Sequence, residues 1–278
     1  MHNLDQWLGR SQTLTDILSE AQVARLALTF DMPAPRYGDP LPALWHWILF
    51  PPQAAQSELG ADGHPRLGGF MPPIKLPRRM WAGGRLIFRA PLRIGETITR
   101  FTKITSISEK QGKSGVLNFL TLHHTLSNAS GICVEEEQDI VYREHGVNAQ
   151  PPRDAEALPS AAWREVVDTD PRLLFRYSAV TFNTHRIHYD LPYARDVECY
   201  PDLVVQGPLT ATLLANALVR HVGRPLTAFS FRGLAPLFAG QAMHVCGEPD
   251  GTEGTYRLWA EGAGNCIAMS ASAQLAVI

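Results

Sequence analysis

Apolar and polar residues alternate along four long stretches of the chain. Gly115 to His124 and Gly131 to Arg143 lie in the first half, and Gly254 to Glu261 and Cys266 to Val277 in the second. Period-two alternation predicts strands with one face on a core. Shorter apolar runs, Ile98 to Ile107 and Met243 to Gly247, precede each pair. Helical spacing is confined to fewer places. Ser19-Glu20-Ala21-Gln22 reads as a capping box, after which Val23, Leu26, Ala27 and Phe30 share one helical face. Asp170-Pro171 reads as an N-cap with proline at the first helical position, followed by Leu173, Leu174, Tyr177 and Thr181 on one side. The run from Gly207 to Val219 is apolar on nearly every face, which predicts a helix wrapped by a sheet.

The pattern occurs twice. Phe88-Arg89-Ala90-Pro91-Leu92-Arg93-Ile94-Gly95-Glu96 is echoed by the segment from Phe231 to Gln241: a strand-like approach, a Pro-Leu step and a glycine turn. Its place at comparable depth in each half predicts an internal duplication. The halves differ where the apolar helix stands. The corresponding stretch from Asp62 to Pro73 is broken by proline and glycine at every turn and cannot form a regular helix. This predicts a degenerate first half whose missing helix leaves room for a substrate tail. The expected division is residues 1–144, a linker at 145–170 rich in proline, alanine and charge (Pro151-Pro152-Arg153-Asp154), and a catalytic unit at 171–278. The turn from Lys110 to Gly115 lacks the glycine spacing and following helix of a phosphate loop, so it reads as a hairpin.

Composition narrows the function classes. With 278 residues and 45% hydrophobic content, the chain can bury one large core or two modest ones. A net charge of -2 leaves no electrostatic footprint for nucleic acid. No apolar run approaches the roughly 20 residues that span a bilayer. The residues from Met1 to Trp7 carry neither a basic patch with an apolar stretch nor an arginine-rich amphipathic pattern, so a cytoplasmic protein is expected. Cys133, Cys199, Cys246 and Cys266 are scattered singly, as expected of buried small side chains in a reducing compartment.

The candidate chemistry sits in Phe182-Asn183-Thr184-His185-Arg186-Ile187-His188-Tyr189-Asp190, between one helix and the apolar helix opening at Gln206-Gly207. A polar side chain five residues before a histidine, followed by a glycine-headed helix, suits water addition to a thioester-conjugated double bond. One group positions a water, one takes its proton, and backbone N–H donors receive the charge that develops on the thioester oxygen. His185 and His188 have metal-like spacing but no marked third ligand, so no metal is expected; His185 reads as a supporting residue. His123-His124 lies in an alternating strand, so one of the two should face solvent, and a surface role is expected there. There is no G-x-S-x-G elbow for nucleophilic catalysis.

These residues resemble the MaoC-like hydratases of hotdog fold, within them the subgroup of type-2 hydroxyacyl-thioester dehydratases and bacterial mesaconyl-CoA or itaconyl-CoA hydratases. The likeness rests on Leu44-Trp45-His46-Trp47, Pro77-Arg78-Arg79, Met80-Trp81-Ala82-Gly83-Gly84-Arg85, the run from Glu137 to Arg143, Thr181 to Asp190, and Val204-Val205-Gln206-Gly207-Pro208. It implies an α+β double hotdog, antiparallel sheets wrapped around a central helix with the first half degenerate. It also implies a hydro-lyase acting on acyl-CoA thioesters, or on acyl carrier protein, without metal or redox cofactor. Carried over residue by residue, His188 matches the catalytic histidine and Gly207 the glycine that holds the thioester carbonyl. Asn183 stands where most relatives have aspartate. A carboxamide can hold a water but cannot take its proton, so His188 must carry more of the transfer. Thioesterases of this fold place a carboxylate on the central helix, and Gly207 to Val222 has none.

Asp190 is a candidate support for His188, or the N-cap of Leu191-Pro192-Tyr193. Arg186, Arg79 and Arg232, and behind them Arg78, Arg85 and Arg195, are candidates for a substrate carboxylate or coenzyme phosphates, against ordinary salt bridges. The resemblance favours a branched dicarboxylic substrate, itaconyl-CoA or mesaconyl-CoA, giving citramalyl- or methylmalyl-CoA. The alternatives are a 3-hydroxyacyl-thioester dehydratase of fatty-acid synthesis and a non-catalytic acyl-CoA-binding module. Neither nucleic acid nor membrane is an expected partner. Exposed sheet edges predict a homo-oligomer, dimer or higher.

Overall fold

A computed structural model describes residues 4–112, 115–144 and 158–276. Ten strands form one continuous antiparallel sheet: β1 (Ser11–Ile17), β2 (Arg78–Phe88), β3 (Thr97–Gly112), β4 (Gly115–Asn128), β5 (Gly131–Arg143), β6 (Trp163–Asp168), β7 (Leu226–Gly233), β8 (Ala242–Pro249), β9 (Thr255–Gly262) and β10 (Cys266–Leu275). Their order is β1-β3-β4-β5-β2-β7-β10-β9-β8-β6. Each half thus has the same order read outward from the middle. The four alternating stretches are β4, β5, β9 and β10, and the Lys110–Gly115 segment closes the β3–β4 hairpin with Gly112 opposite Gly115; Lys113 and Ser114 lie outside the described residues.

The echo between halves extends to single hydrogen bonds. Arg89 and Ala90 both donate their backbone N–H to the Cys133 carbonyl, and Leu234 and Ala235 do the same to Ala268. The turn glycines Gly95 and Gly240 both have positive φ, 94° and 73°. They donate to Leu18 and Thr169, at matching places ahead of the two helices.

Glycine also makes the seam between halves. β2 and β7 pair from Gly83 opposite Arg232 to Ile87 opposite Ala228, just past a bulge at Trp81/Gly83. A Cβ on Gly83 would lie 2.6 Å from the Phe231 carbonyl oxygen, and one on Gly84 2.9 Å from that of Glu137. Only glycine allows this approach. Arg85 then crosses to Glu137 and Asp139 on β5.

Three helices cover the sheet: α1 (Glu20–Thr29), α2 (Pro171–Val180) and α3 (Gly207–Val222). α3 is buried along nearly its whole length, including Leu209, Ala211, Leu214, Ala215, Ala217 and Leu218. It ends at Gly223 in the left-handed conformation that stops a helix, φ 71°. Asp170 caps α2 by accepting from the N–H groups of Arg172 and Leu173, as its sequence predicts. Residues 62–73 form no regular helix.

Three expectations need correction. Ser19 is the N-cap of α1 but its side chain makes no capping bond. Gln22, the box partner, instead donates to the Ile48 and Val180 carbonyls, which lack helical or sheet partners. The linker read at 145–170 includes β6, which pairs with β8 from Trp163–Gly247 to Asp168–Ala242; residues 145–157, Pro151 to Asp154 among them, lie outside the described residues. The His123-His124 pair divides as strand alternation predicts: His123 is partly open, and His124 is buried and bonded through Nδ1 to Thr102 Oγ1. Cys199 is exposed, whereas Cys133 and Cys246 are buried thiols.

A buried polar network underlies the first half. Glu136 accepts from His46 Nε2 (3.0 Å), Trp47 Nε1 (2.9 Å) and Gln138 Nε2 (2.8 Å). The adjacent Trp45 donates to Asn216 on α3 at 3.1 Å. Burial pushes the Glu136 carboxyl upward, but the bond and charge of His46, with His124 and Gln138, outweigh it and hold it at about 2. A carboxylate lowered by folding stabilises above its unfolded pKa of 4.5, and that contribution drains away as pH falls toward 2. Wild type should therefore exceed Glu136→Gln in unfolding free energy at neutral pH. The gap should shrink by about 3 kcal/mol between pH 5 and pH 2 in urea titrations.

Candidate active site

The histidine block begins where α2 stops. Thr181 Oγ1 bonds back to the Tyr177 carbonyl, and Phe182 turns left-handed at φ 52°. Asn183 N–H donates to the Ser178 carbonyl (2.8 Å), and its Oδ1 accepts from His185 N–H (3.0 Å), a turn that aims His185 inward. Residues Arg186–His188 form a short 3-10 turn.

His188 is then fixed from the other side. Val204 N–H donates to the Ile187 carbonyl (2.9 Å), and the Val204 carbonyl accepts from His188 Nδ1 (2.7 Å). A carbonyl only accepts, so Nδ1 carries the proton and Nε2 keeps its lone pair. Burial, more than anything else, pulls the His188 pKa from 6.5 to about 4; the bond to Val204 opposes this, and the charge of His64 adds to it. At neutral pH His188 is a neutral imidazole with a free Nε2.

Val204 is three residues ahead of α3. At the N-cap, Gln206 donates Nε2 to the Leu174 carbonyl and to Ser178 Oγ, both at 2.9 Å. Ser178 therefore ties the Asn183 backbone to the tip of α3. The first intrahelical bond runs from Thr210 N–H to the Gln206 carbonyl. Pro208 has no N–H, so Gly207 offers the leading donor at the positive end of the helix dipole. A Cβ at Gly207 would sit 3.7 Å from the Trp81 carbonyl oxygen, beside the β2 bulge.

The first half supplies residues that pattern alone did not single out. Its loop at 60–64 docks against the histidine block: Arg186 N–H donates to the Asp62 carbonyl, Arg186 Nη1 to that of Ala61, and Thr184 Oγ1 to that of Gly63. Gly63 has φ 90°, and a Cβ there would fall 1.9 Å from the Thr184 carbonyl oxygen. This docking delivers His64 to the cluster. Its Nδ1 lies 2.8 Å from Asp62 Oδ2, and its ring lies against that of His185, tilted by 43°, at 4.2 Å between centroids. His185 in turn meets His188 edge-on at 5.3 Å. The signal in the sequence was Asp62-Gly63-His64-Pro65 itself, two chemical side chains around a glycine, in a stretch that reads only as a failed helix.

Electrostatically the cluster is poised without charge on its rings. His64 is lowered to about 4 by burial and by Arg79, against the opposing pull of Asp62. His185 is held well below its ordinary value by burial, then by the other two histidines and Arg79. Asp62 is raised by burial but lowered on balance by its bonds to His64, with Arg79 adding to this, so it is a carboxylate. Asn183, Asp62 and His64 are partly open, whereas His185 and His188 are buried. Solvent therefore reaches the cluster from the side of the first three. A cavity of about 620 Å³ lies elsewhere, between the C-terminal part of α3 and the first half, lined by His46, Phe88 and Asn216 among others; it does not include the histidine block.

Other candidates have different partners. Arg186 is held by Asp190 at 2.7 Å and lies over the Tyr193 ring at 4.1 Å. Asp190 also accepts from Tyr193 N–H, so it caps the following turn and pairs with Arg186, while His188 takes its orientation from Val204. Arg78 pairs with Glu198, Arg85 with Glu137 and Asp139, and Arg195 with Asp202. Among the described residues Arg79 and Arg232 are in no ion pair. Arg79 acts on Asp62, His64 and His185, and Arg232 is exposed on β7 beside the seam. The spacing of His185 and His188 gathers no third ligand around both. It is Asp62, His64 and His185 whose donor atoms lie within 4.8 Å of one another, the group best placed to hold a cation.

The architecture has solved counterparts. A MaoC-like dehydratase superposes with a TM-score of 0.76 at 15% identity, over 99% of this chain and 100% of that one. A conserved hypothetical protein from Mycobacterium tuberculosis with a double hotdog fold superposes with a TM-score of 0.58 at 13% identity, over 97% of this chain and 96% of that one. These likenesses show a double hotdog fold. Residues 44–239 match the family model for hydroxyacyl-thioester dehydratase type 2. The chain is also 47% identical over 273 residues to the mesaconyl-C(4)-CoA hydratase of Chloroflexus aurantiacus, covering 97% of this chain and 96% of that protein. It belongs to the hydroxyacyl-thioester dehydratase type 2 family.

Loop docking sets the geometry of the cluster, which makes Gly63 a direct test. Gly63→Ala combines a disfavoured φ with a clash into backbone that cannot yield. The variant should stay folded by circular dichroism yet lose at least about 10-fold in turnover, because ångström-scale displacement of site residues is costly.

Proposed function

We propose that this protein reversibly hydrates an enoyl-CoA thioester, with a branched five-carbon dicarboxylic acyl group, itaconyl or mesaconyl, as the preferred substrate and citramalyl- or methylmalyl-CoA as the product. The observation that carries this reading is His188, kept neutral by burial and oriented by the Val204 carbonyl three residues before the tip of α3. The thioester carbonyl docks on Gly207 N–H, where the helix dipole favours enolate charge. Such a donor is worth about 3 kcal/mol of transition-state stabilisation. Asn183 and His188 hold one water. His188 Nε2 takes its proton as oxygen bonds to the β-carbon, and the site then returns a proton to the α-carbon. Both events on one face of the acyl group give syn addition.

The dicarboxylic preference is supported by the similarity to a mesaconyl-C(4)-CoA hydratase and by Arg79. That guanidinium acts on the cluster without an ion-pair partner among the described residues, so a substrate carboxylate can take the place. The first half serves as one wall of the pocket. Unpaired thiols at Cys133 and Cys246 suit a reducing cytoplasm, and the sheet edges β1 and β6 suit self-association into a dimer or larger assembly.

Two experiments test this. A spectrophotometric screen of itaconyl-, mesaconyl- and crotonyl-CoA should show kcat/KM highest for a dicarboxylic thioester. Arg79→Ala should reduce that preference by raising KM for the dicarboxylic substrate alone; efficient turnover of crotonyl-CoA only would overturn the substrate assignment. His188→Ala should lower kcat by about 10²- to 10⁴-fold with the fold intact. Because His188 must be neutral to act, kcat/KM in the wild type should hold level from pH 8 down to about 5 and fall near pH 4. An acid limb near 6.5 would mean a different base.

A further inference from the structure

Asn183 leaves the reaction one proton-transfer group short, and the first half brings in a candidate. Of the three histidines that meet here, His188 bonds an amide carbonyl, and the His185 ring lies against the other two rings. His64 alone has a carboxylate against its ring, Asp62 Oδ2 at 2.8 Å from Nδ1. We propose that the Asp62–His64 pair, carried in on the loop of the first half, is the second acid–base group of the reaction and exchanges the proton of the substrate α-carbon. The proposal rests on the hydration reading above.

The chemistry follows from where positive charge is tolerated. When His188 Nε2 draws a proton from water, its imidazolium has, among the described residues, the Val204 carbonyl as hydrogen-bond partner, in a buried place. His64 in the same state lies against a carboxylate, as does the histidine of a catalytic triad. With Nδ1–H turned to Asp62, His64 presents Nε2 for exchange. In hydration the water O–H bond breaks toward His188 as oxygen bonds to the β-carbon, and the π pair of the double bond moves to the thioester as an enolate at the tip of α3. The proton passes from His188 to His64, and the His64 N–H bond breaks as the α-carbon C–H bond forms. One water is added and no net proton is gained or lost. In dehydration His64 removes the α-proton, and His188 returns a proton to the departing hydroxide.

The groups facing His64 are Asp62 on its own loop, Arg79 at the start of β2, and His185 and His188 on the opposing block. Asp62 raises His64 while Arg79 and burial lower it. Removing the carboxylate charge must therefore make His64 a weaker base. The exposed side of the pair is consistent with the direction from which an acyl group would enter.

The test compares His64→Ala, His64→Gln, Asp62→Asn and His188→Ala in the full chain, on whichever enoyl-CoA the wild type turns over. We expect both His64 variants to lose about 10²- to 10⁴-fold in kcat with KM nearly unchanged. Added imidazole should restore part of the activity of His64→Ala but not of His64→Gln, which leaves no room for it. The dehydration of α-deuterated hydroxyacyl-CoA should show a larger isotope effect in His64→Ala than in wild type. Asp62→Asn should lower kcat and move the acid limb to lower pH. If His188→Ala is inactive while both His64 variants keep rates within threefold of wild type, the pair has no such role and the hydration reading stands. If His188→Ala is itself fully active, that reading fails first. Loss in the His64 variants without imidazole rescue or any change in isotope effect would reduce His64 to a packing role. Activity abolished by a chelator and restored by zinc would make Asp62, His64 and His185 a metal site and overturn the proposal.

Discussion

One hydrogen bond, from His188 Nδ1 to the Val204 carbonyl, determines what the site can do. It fixes the tautomer, and with it the lone pair on Nε2, and it welds the histidine block to the strand of chain that enters α3. His188 and the helix tip therefore cannot move independently. Burial would make a charged imidazole expensive here, and the protein uses that expense: the ring is neutral and ready to accept a proton. Asp190, which follows two residues later, serves the turn and Arg186 instead.

The site also depends on the seam between halves. Gly83 and Gly84 let β2 approach β7 closely enough to make one sheet of two similar units. The same bulge brings the Trp81 carbonyl beside Gly207. On the far side, Gly63 allows the first-half loop to lie against Thr184 without a side chain between them. Glycine at these three places acts by absence. At Gly83, Gly207 and Gly63 backbone of the first half meets backbone of the second. Residues 60–64, in a stretch with no regular helix, reach across to the histidine block and deliver His64.

Much of this was legible in the chain. Period-two alternation located β4, β5, β9 and β10, the glycine turns located the repeat, and the long apolar run located α3, because each signal is local and repeated over many residues. Edge strands β1 and β6 escaped notice: they are short, and half their residues face solvent. Ser19 and Gln22 looked like a capping box, but two carbonyls distant in sequence claimed the glutamine. Strand alternation also placed one of His123 and His124 inward, but only the fold showed that it is His124, bonded to Thr102.

The chain alone marked the duplicated strands, the apolar helix, the block from Asn183 to His188 and the glycine that heads α3, since these follow from periodicity and from residue types adjacent in sequence; the fold class came from the resemblance that these residues carry. Tertiary structure decided the rest. Which arginines were already paired, that Asp190 belongs to Arg186, that Val204 holds His188, and that Asp62 and His64 arrive from more than a hundred residues away all depend on long-range packing. The physical reason is that partners in a hydrogen bond or ion pair are chosen by distance in space and by competition for buried donors and acceptors. Neither is written in the spacing of residues along the chain.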